Sequence, residues 1–176
     1  TVAPGTTKKI ISKVPDSLKM IVHSPVRGVH PHLHKGIKTF IKYIGSENKK
    51  SGQIAKKHLE KIGIKTRLVY PAKTSELAKL FCTTYYGLCI AWHGEMEKIC
   101  EKEGIDFKEA VNEYSETYNE GYAKLGMKNV VRPVLYAPKG KIAGHCIIQN
   151  TEILKKHYQS KACDLILEYK PKNSKK

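Results

Sequence analysis

Gly144-His145-Cys146-Ile147-Ile148-Gln149-Asn150 is the stretch of this chain whose residue types are most ready for chemistry. A cysteine follows a glycine and a histidine in a Gly/Lys-rich loop, just before a helix-like run. Such a setting exposes a thiol, lets a substrate approach closely and supplies donors that favour the thiolate. A free thiol with pKa about 8.5 is mostly protonated at neutral pH, so His145, a lysine or a helix start has to lower it. The plainer alternative is a half-buried structural cysteine. Asn150 stands four residues on, at the expected N-terminus of a helix near 150–157.

Other residue sets suggest weaker chemistry. His30-x-His32-x-His34 places three imidazoles at period two, which an extended segment would put on one face. A hydrated histidine-rich loop is the favoured reading, and no metal is expected. His23 and Arg27 flank Ser24-Pro25 and are candidates for holding a substrate phosphate or carboxylate. On residue pattern alone Lys79 is a solvated helix lysine. His93 and Glu95 read as surface or interface groups, and Trp92, Tyr85 and Tyr86 as core or helix-packing residues.

Composition narrows the class. The 176 residues and 40% apolar content suit one compact domain, or one and a part. No run of about 18 apolar residues and no leader pattern is present, so a soluble, cytoplasmic protein is expected. The five cysteines are odd in number and lack C-x-x-C spacing, which argues against a disulfide framework or zinc knuckle. Cys82, Cys89 and Cys100 share one helical pattern and read as small core residues. The net charge of +16 invites a nucleic-acid partner. Arginine occurs only at 27, 67 and 132, however, and the lysines are scattered over every segment. A lysine-rich solvated surface that attracts anionic small molecules is the better account. A non-catalytic basic module for nucleic acid or another polyanion stands as the alternative.

The elements that must position these residues follow from pattern. A short helix is expected near 6–13, a strand at 19–23 ended by Pro25, and a loop over 24–37. A strand at 38–44 precedes a helix at 47–62 with Ser46 as N-cap, Ile54, Leu59 and Ile62 inward, and Gly63 left-handed beyond its end. A third strand spans 66–70. The longest element runs from 75 to 103, with Leu77, Leu80, Phe81, Thr84, Leu88, Ala91, Trp92, Met96 and Ile99 recurring at three and four. Gly87 and Gly94 inside it imply that another backbone packs closely there. Asp106 with Glu109 forms a capping box for a helix running to about 118–124. Residues 126–146 are loop with a short strand near 133–137, and helices near 150–157 and 160–168 close the chain. No G-x-G-x-x-G turn occurs.

In this order the motifs resemble the middle of the UDP-glucose/GDP-mannose, or nucleotide-sugar, dehydrogenase family. Thr1-Val2-Ala3-Pro4-Gly5-Thr6-Thr7 is similar to a loop after a late strand of that family's NAD-binding domain. Ser24-Pro25 resembles its substrate loop, and Glu76-Leu77-Ala78-Lys79-Leu80 the start of its long helix. Ile99-Cys100-Glu101-Lys102-Glu103-Gly104-Ile105-Asp106 resembles its helix-turn-helix junction, and Gly144-His145-Cys146 its catalytic thiol loop.

The resemblance implies an α/β fold: C-terminal strands of a Rossmann-like domain over 1–72, then a mainly helical domain on one long central helix over 73–170. Residues 171–176 would be a disordered tail. It implies NAD as cofactor, a nucleotide-sugar or other anionic small molecule as substrate, and a homodimer formed through the long helix. Carried over, Cys146 is the nucleophile that forms a thiohemiacetal and then a thioester. Lys79 holds an oxyanion, Thr1 helps position water, and Asn150 stands at a further catalytic position; Thr83 and His145 lie on the substrate side, where residue type adds Arg27 and His23. The chain departs from the family at Asn150, where an aspartate is usual, and at Thr83, where an asparagine is usual. Val26-Arg27-Gly28-Val29-His30 replaces the family's glutamate-bearing substrate stretch. By this resemblance the chain is a divergent, shortened member.

Overall fold

The computed structural model describes residues 1–28 and 31–171, with the side chain of His145 outside that description. The chain divides into two compact units, Thr1–Cys82 and Thr83–Lys176. The first is α/β and the second helical, and one long helix has residues in both. This is the fold class the sequence implied.

The first unit runs α1 (Thr6–Ile11), a 3₁₀ turn at Asp16–Leu18, β1 (Val22–His23), α2 (Leu33–Thr39), β2 (Lys42–Ser46), α3 (Lys49–Lys61) and β3 (Thr66–Val69), then enters α4 (Ala72–Glu103). The sheet order is β1-β2-β3. β1 is antiparallel to β2, with Val22 opposite Ser46; β2 is parallel to β3, with Ile44 opposite Leu68. The parallel pair requires a crossover, and α3 supplies it. Ile44 is fully buried. At Gly45 an added Cβ would lie 2.8 Å from Ala72 O, so the start of α4 packs directly on β2. The Glu47 carboxylate accepts the Ala72 N–H at 3.1 Å, a negative charge at a helix N-terminus. Gly63 takes φ +80 beyond α3, as expected of a left-handed terminator.

Several local expectations shift. Residues 24–37 are not all loop, because α2 starts at Leu33. The strand expected at 38–44 lies at Lys42–Ser46, fixed by pairing of Lys42 with Thr66 rather than by β-propensity. The first strand is only Val22–His23. Asn48, not Ser46, caps α3, accepting from Ser51 N at 2.9 Å. Ser46 is buried in β2 and donates to Asn48 O. Ile54 and Ile62 are exposed and Leu59 is half-buried. α3 instead turns Ser51 and Gly52 inward, and a Cβ at Gly52 would meet Leu68 Cδ2 at 3.3 Å. Small residues win here because the helix sits close to the sheet.

The second unit holds the rest of α4, a wide π turn at Lys108–Glu113, α5 (Tyr114–Lys124), an irregular stretch, α6 (His145–His157) and α7 (Lys161–Glu168). Its core gathers Ala91, Ile142, Ile147, Ile148, Ile166 and Tyr169. Close approaches are present at Gly87 and Gly94, but it is side chains and not, as expected, another backbone that fill the space. A Cβ on Gly87 would lie 2.5 Å from Ile147 Cγ2, and one on Gly94 2.5 Å from Tyr169 Oη. Asp106 Oδ1 accepts from Glu109 N at 2.8 Å, the forward half of the expected capping box. Ser160 caps α7 through Cys163 N.

Here too there are corrections. No strand forms near 133–137; Pro133 and Pro138 lack a donor, and Asn119 ties down the segment by bonding Arg132 N at 2.8 Å and Arg132 O at 2.9 Å. Tyr85, Tyr86 and Trp92 are exposed rather than core, as are Phe81 and Ile99. Cys82 is exposed and Cys89 half-buried; of the three helix cysteines only Cys100 is buried. His93 is buried, its Nδ1 2.6 Å from Cys89 O, and Glu95 takes a bond from the buried Tyr169. The stripe of α4 that is buried is Leu80, Thr84, Gly87, Ala91 and Gly94, narrow and mostly small. The bulky residues beside it therefore stay outside.

Candidate functional site

Gly144 adopts φ +114, a conformation an L side chain rarely takes, and α6 begins at the very next residue. The helix thus starts earlier than expected, and Cys146 lies in its first turn. The thiol is exposed. Ile147 and Ile148, which follow it, are buried in the core and fix the helix in its unit. Gly144, at the N-cap, has no side chain with which to cap the turn.

Asn150 is one helical turn beyond Cys146 and is buried in the middle of α6, not at its N-terminus. Its Nδ2 donates to Thr83 Oγ1 at 3.1 Å. Two of the positions where the chain departs from the family pattern are therefore hydrogen-bonded to each other. A carboxamide with its N–H₂ on a hydroxyl offers no proton-accepting carboxylate at this place.

A second set of candidates meets in the first unit. A cavity of about 240 Å³ is lined by Pro25, Arg27, Tyr43, Ser75, Ala78, Lys79 and Cys82. Lys79 Nζ donates to Val26 O at 3.1 Å, while Lys42 Nζ reaches Ser24 O and Pro25 O at 3.3 and 3.4 Å. Two ammonium groups thus hold three successive carbonyls of the Ser24-Pro25-Val26 loop. The Arg27 guanidinium lies 5.2 Å from the Phe40 ring centre and 5.9 Å from that of Tyr43. His23 is one bond removed from the cavity: its Nδ1 sits 2.7 Å from Ser75 Oγ. Burial pushes the His23 imidazole below its usual 6.5, with the Glu76 carboxylate opposing, and burial also lowers Lys42. Two cations beside Pro25, Ala78 and Tyr43 suit a small anion that carries an apolar part. Cys82 was not expected here, although the 75-79-82 spacing places it on one helix face with Ser75 and Lys79.

Thr1 is exposed. The loop after it is anchored by Glu76, fully buried, whose carboxylate accepts from Gly5 N, from Thr7 N at 2.8 Å and from Thr7 Oγ1 at 2.6 Å. The structure thus brings Arg27 to Lys79 in the first unit and Asn150 to Thr83 in the second, which also carries Cys146. Among the described residues no cluster of three His, Cys, Asp or Glu could hold a metal; His30, with the three-histidine pattern, lies outside them. No helix among them is long and apolar enough to cross a membrane.

The curated relatives and the structural neighbours of this chain are nucleotide-sugar dehydrogenases, and the chain shares their fold. It is 31% identical over 148 residues to UDP-N-acetyl-D-mannosamine dehydrogenase of Methanocaldococcus jannaschii, a match covering 84% of this chain and 32% of that enzyme. The enzyme of the same name from Methanococcus maripaludis is 28% identical over 147 residues, covering 84% and 31%. The chain therefore spans about a third of the length of these curated relatives. No family model matches it. Among solved structures, a UDP-D-ManNAc dehydrogenase from Pyrococcus horikoshii superposes with a TM-score of 0.76 at 21% identity, over 96% of this chain and 40% of that one. An NDP-N-acetyl-D-galactosaminuronic acid dehydrogenase from Methanosarcina mazei gives 0.72 at 19%, over 94% and 38%. At these identities the structures bear on the fold.

The β2–α3 turn does not fit the diphosphate of a dinucleotide. In the β2–α3 turn the helix start is closed by the Asn48 side chain, and the space beside Gly45 is filled by α4. That turn, Gly45-Ser46-Glu47-Asn48, also lacks the glycines that let phosphate oxygens reach backbone N–H groups.

Proposed function

We propose that this chain supplies the thiol and the anion-holding side chains of a nucleotide-sugar dehydrogenase, an oxidoreductase that oxidises a sugar alcohol through a cysteine-linked intermediate. The observation that carries it is Cys146, exposed in the first turn of a helix with glycine at its N-cap, the next two residues being locked in the core. Thiolate addition to a sugar carbonyl forms an S–C bond and moves the carbonyl pair to oxygen, which takes a proton to give a thiohemiacetal. Backbone N–H groups of a helix start with glycine at its N-cap are suitable donors to that oxygen. Arg27 and Lys79 supply positive charge for the phosphates of a nucleotide-sugar, or for another anionic small molecule. Asn150 accepts no proton and is engaged by Thr83, so covalent capture is the step these residues support. NAD enters through the family resemblance alone, and no step is routed through it.

Alkylation with iodoacetamide, followed by peptide mass spectrometry, tests this. Cys146 is expected to react about tenfold faster than Cys82, which is also exposed, and the buried Cys100 and Cys163 last. Equal rates at Cys146 and Cys82 would remove the proposal.

The same proposal includes a homodimer. Tyr85, Tyr86, Trp92 and Ile99 leave an apolar, aromatic face of α4 exposed in the second unit. Sedimentation at tens of micromolar (about 10–100 µM, the range in which modest interfaces associate) should show a dimer that Trp92→Glu converts to monomer. A wild-type monomer would count against it. Five free cysteines suit a reducing compartment, so we place the protein in the cytoplasm.

A further inference from the structure

The segment leading to Cys146 has no regular structure, and a residue just beyond α7 holds it in place. Ile142 is buried, and its N–H donates to Tyr169 O at 2.8 Å. The Tyr169 ring is itself buried against α4, where Gly94 leaves it room: an added Cβ would come within 2.6 Å of both Cε1 and Cζ. The Tyr169 hydroxyl donates to Glu95 Oε1 at 2.6 Å. The same oxygen accepts from Lys98 Nζ at 2.6 Å, and Lys98 stands 4.7 Å from the ring centre. One residue therefore ties together α4, the end of α7 and the strap before α6. Only Ala143, Gly144 and His145 separate the tied Ile142 from the thiol.

We infer that Tyr169 is a positioning residue for the Cys146 thiol: its hydroxyl bond to Glu95 and its carbonyl bond to Ile142 fix where α6 begins and how its first turn is presented. This rests on Cys146 being the reactive thiol. Burial raises Tyr169 above its usual range and Lys98 draws Glu95 below the usual carboxylate range, so the phenol–carboxylate bond holds at ordinary working pH. Residue pattern hints little at it, since Glu95 reads as a surface or interface group and Tyr169 falls just beyond the last expected helix.

The experiment follows two readouts on the whole chain: hydrogen exchange at the Ile142 amide, and iodoacetamide labelling of Cys146 against Cys82. Tyr169→Phe and Glu95→Ala should each speed Ile142 exchange by about tenfold and change the Cys146 rate at least threefold, leaving Cys82 unchanged. Glu95→Gln keeps an acceptor for the phenol and should restore both values. Gly94→Ala, which pushes the ring away while keeping every polar group, should reproduce the Tyr169→Phe result. Unchanged Ile142 exchange in Tyr169→Phe and Gly94→Ala overturns the inference. So does faster exchange with no change at Cys146. If Ile142 responds as expected but wild-type Cys146 is no faster than Cys82, the tie is upheld and the thiol's catalytic role is what fails.

Discussion

Replacing Glu76 with alanine is expected to destabilise the first unit by about 3 kcal/mol or more and to free the segment Thr1–Ser12 from it. Glu76 is fully buried, and its carboxylate is the acceptor for Gly5 N, Thr7 N and Thr7 Oγ1. Alanine leaves those three donors facing a cavity. The lost bonds and the empty volume act in the same direction. Glutamine keeps the volume but turns an N–H₂ toward donors, so it should recover only part of the loss. For a unit of this size the melting temperature should fall by roughly 10 °C or more. Limited proteolysis should then cut first between Lys8 and Lys13. A Glu76→Ala protein that melts with wild type and keeps this segment protected would contradict the anchor.

The second large effect is expected at Gly87. Alanine at a helix-interior glycine ordinarily stabilises by up to about 1 kcal/mol. At Gly87 the new Cβ meets Ile147 Cγ2 at 2.5 Å and Ile166 Cγ2 at 3.4 Å. Ile147 is β-branched and sits in the first turns of α6, where its rotamer has little freedom. Gly87→Val should therefore destabilise by about 3 kcal/mol through overpacking. Gly121 supplies the control: it lies inside α5 with nothing within 4 Å of an added Cβ, so Gly121→Ala should stabilise. Chemical denaturation of the two variants against wild type decides the matter. The same sign at both positions would show that α4 and α6 are not packed as described.

The long helix, the close approaches at Gly87 and Gly94 and the αL terminator at Gly63 could all be read from residue order, because each is a local matter of period or backbone freedom. What could not be read depends on partners distant in sequence. The strand at Lys42–Ser46 is placed by Thr66–Val69, and α3 turns inward through Ser51 and Gly52 because a sheet lies close to it. On α4 the large apolar residues suggested the buried stripe, yet the spine of Thr84, Gly87, Ala91 and Gly94 is what packs. A close helix contact favours small residues, and hydropathy is blind to that. Among the candidate residues, Cys146, Arg27 and His23 were marked by their types, and Lys79 by the resemblance alone. The bond from Asn150 to Thr83 and the Tyr169–Glu95 tie join residues 67 and 74 apart in the chain, and no spacing rule connects them.

The wide turn at Lys108–Glu113 bears on how this chain tolerates changes in length. It winds by the i→i+5 pattern and so takes up one residue more than an α-helix would over the same rise. Loss of a single residue there would let the turn close into ordinary helix and leave the phase of α5 unaltered. Loss of one anywhere in α4 would instead rotate everything downstream by roughly 100° about the axis and carry the small-residue spine out of line. Insertions and deletions in natural variants should accordingly gather at this turn.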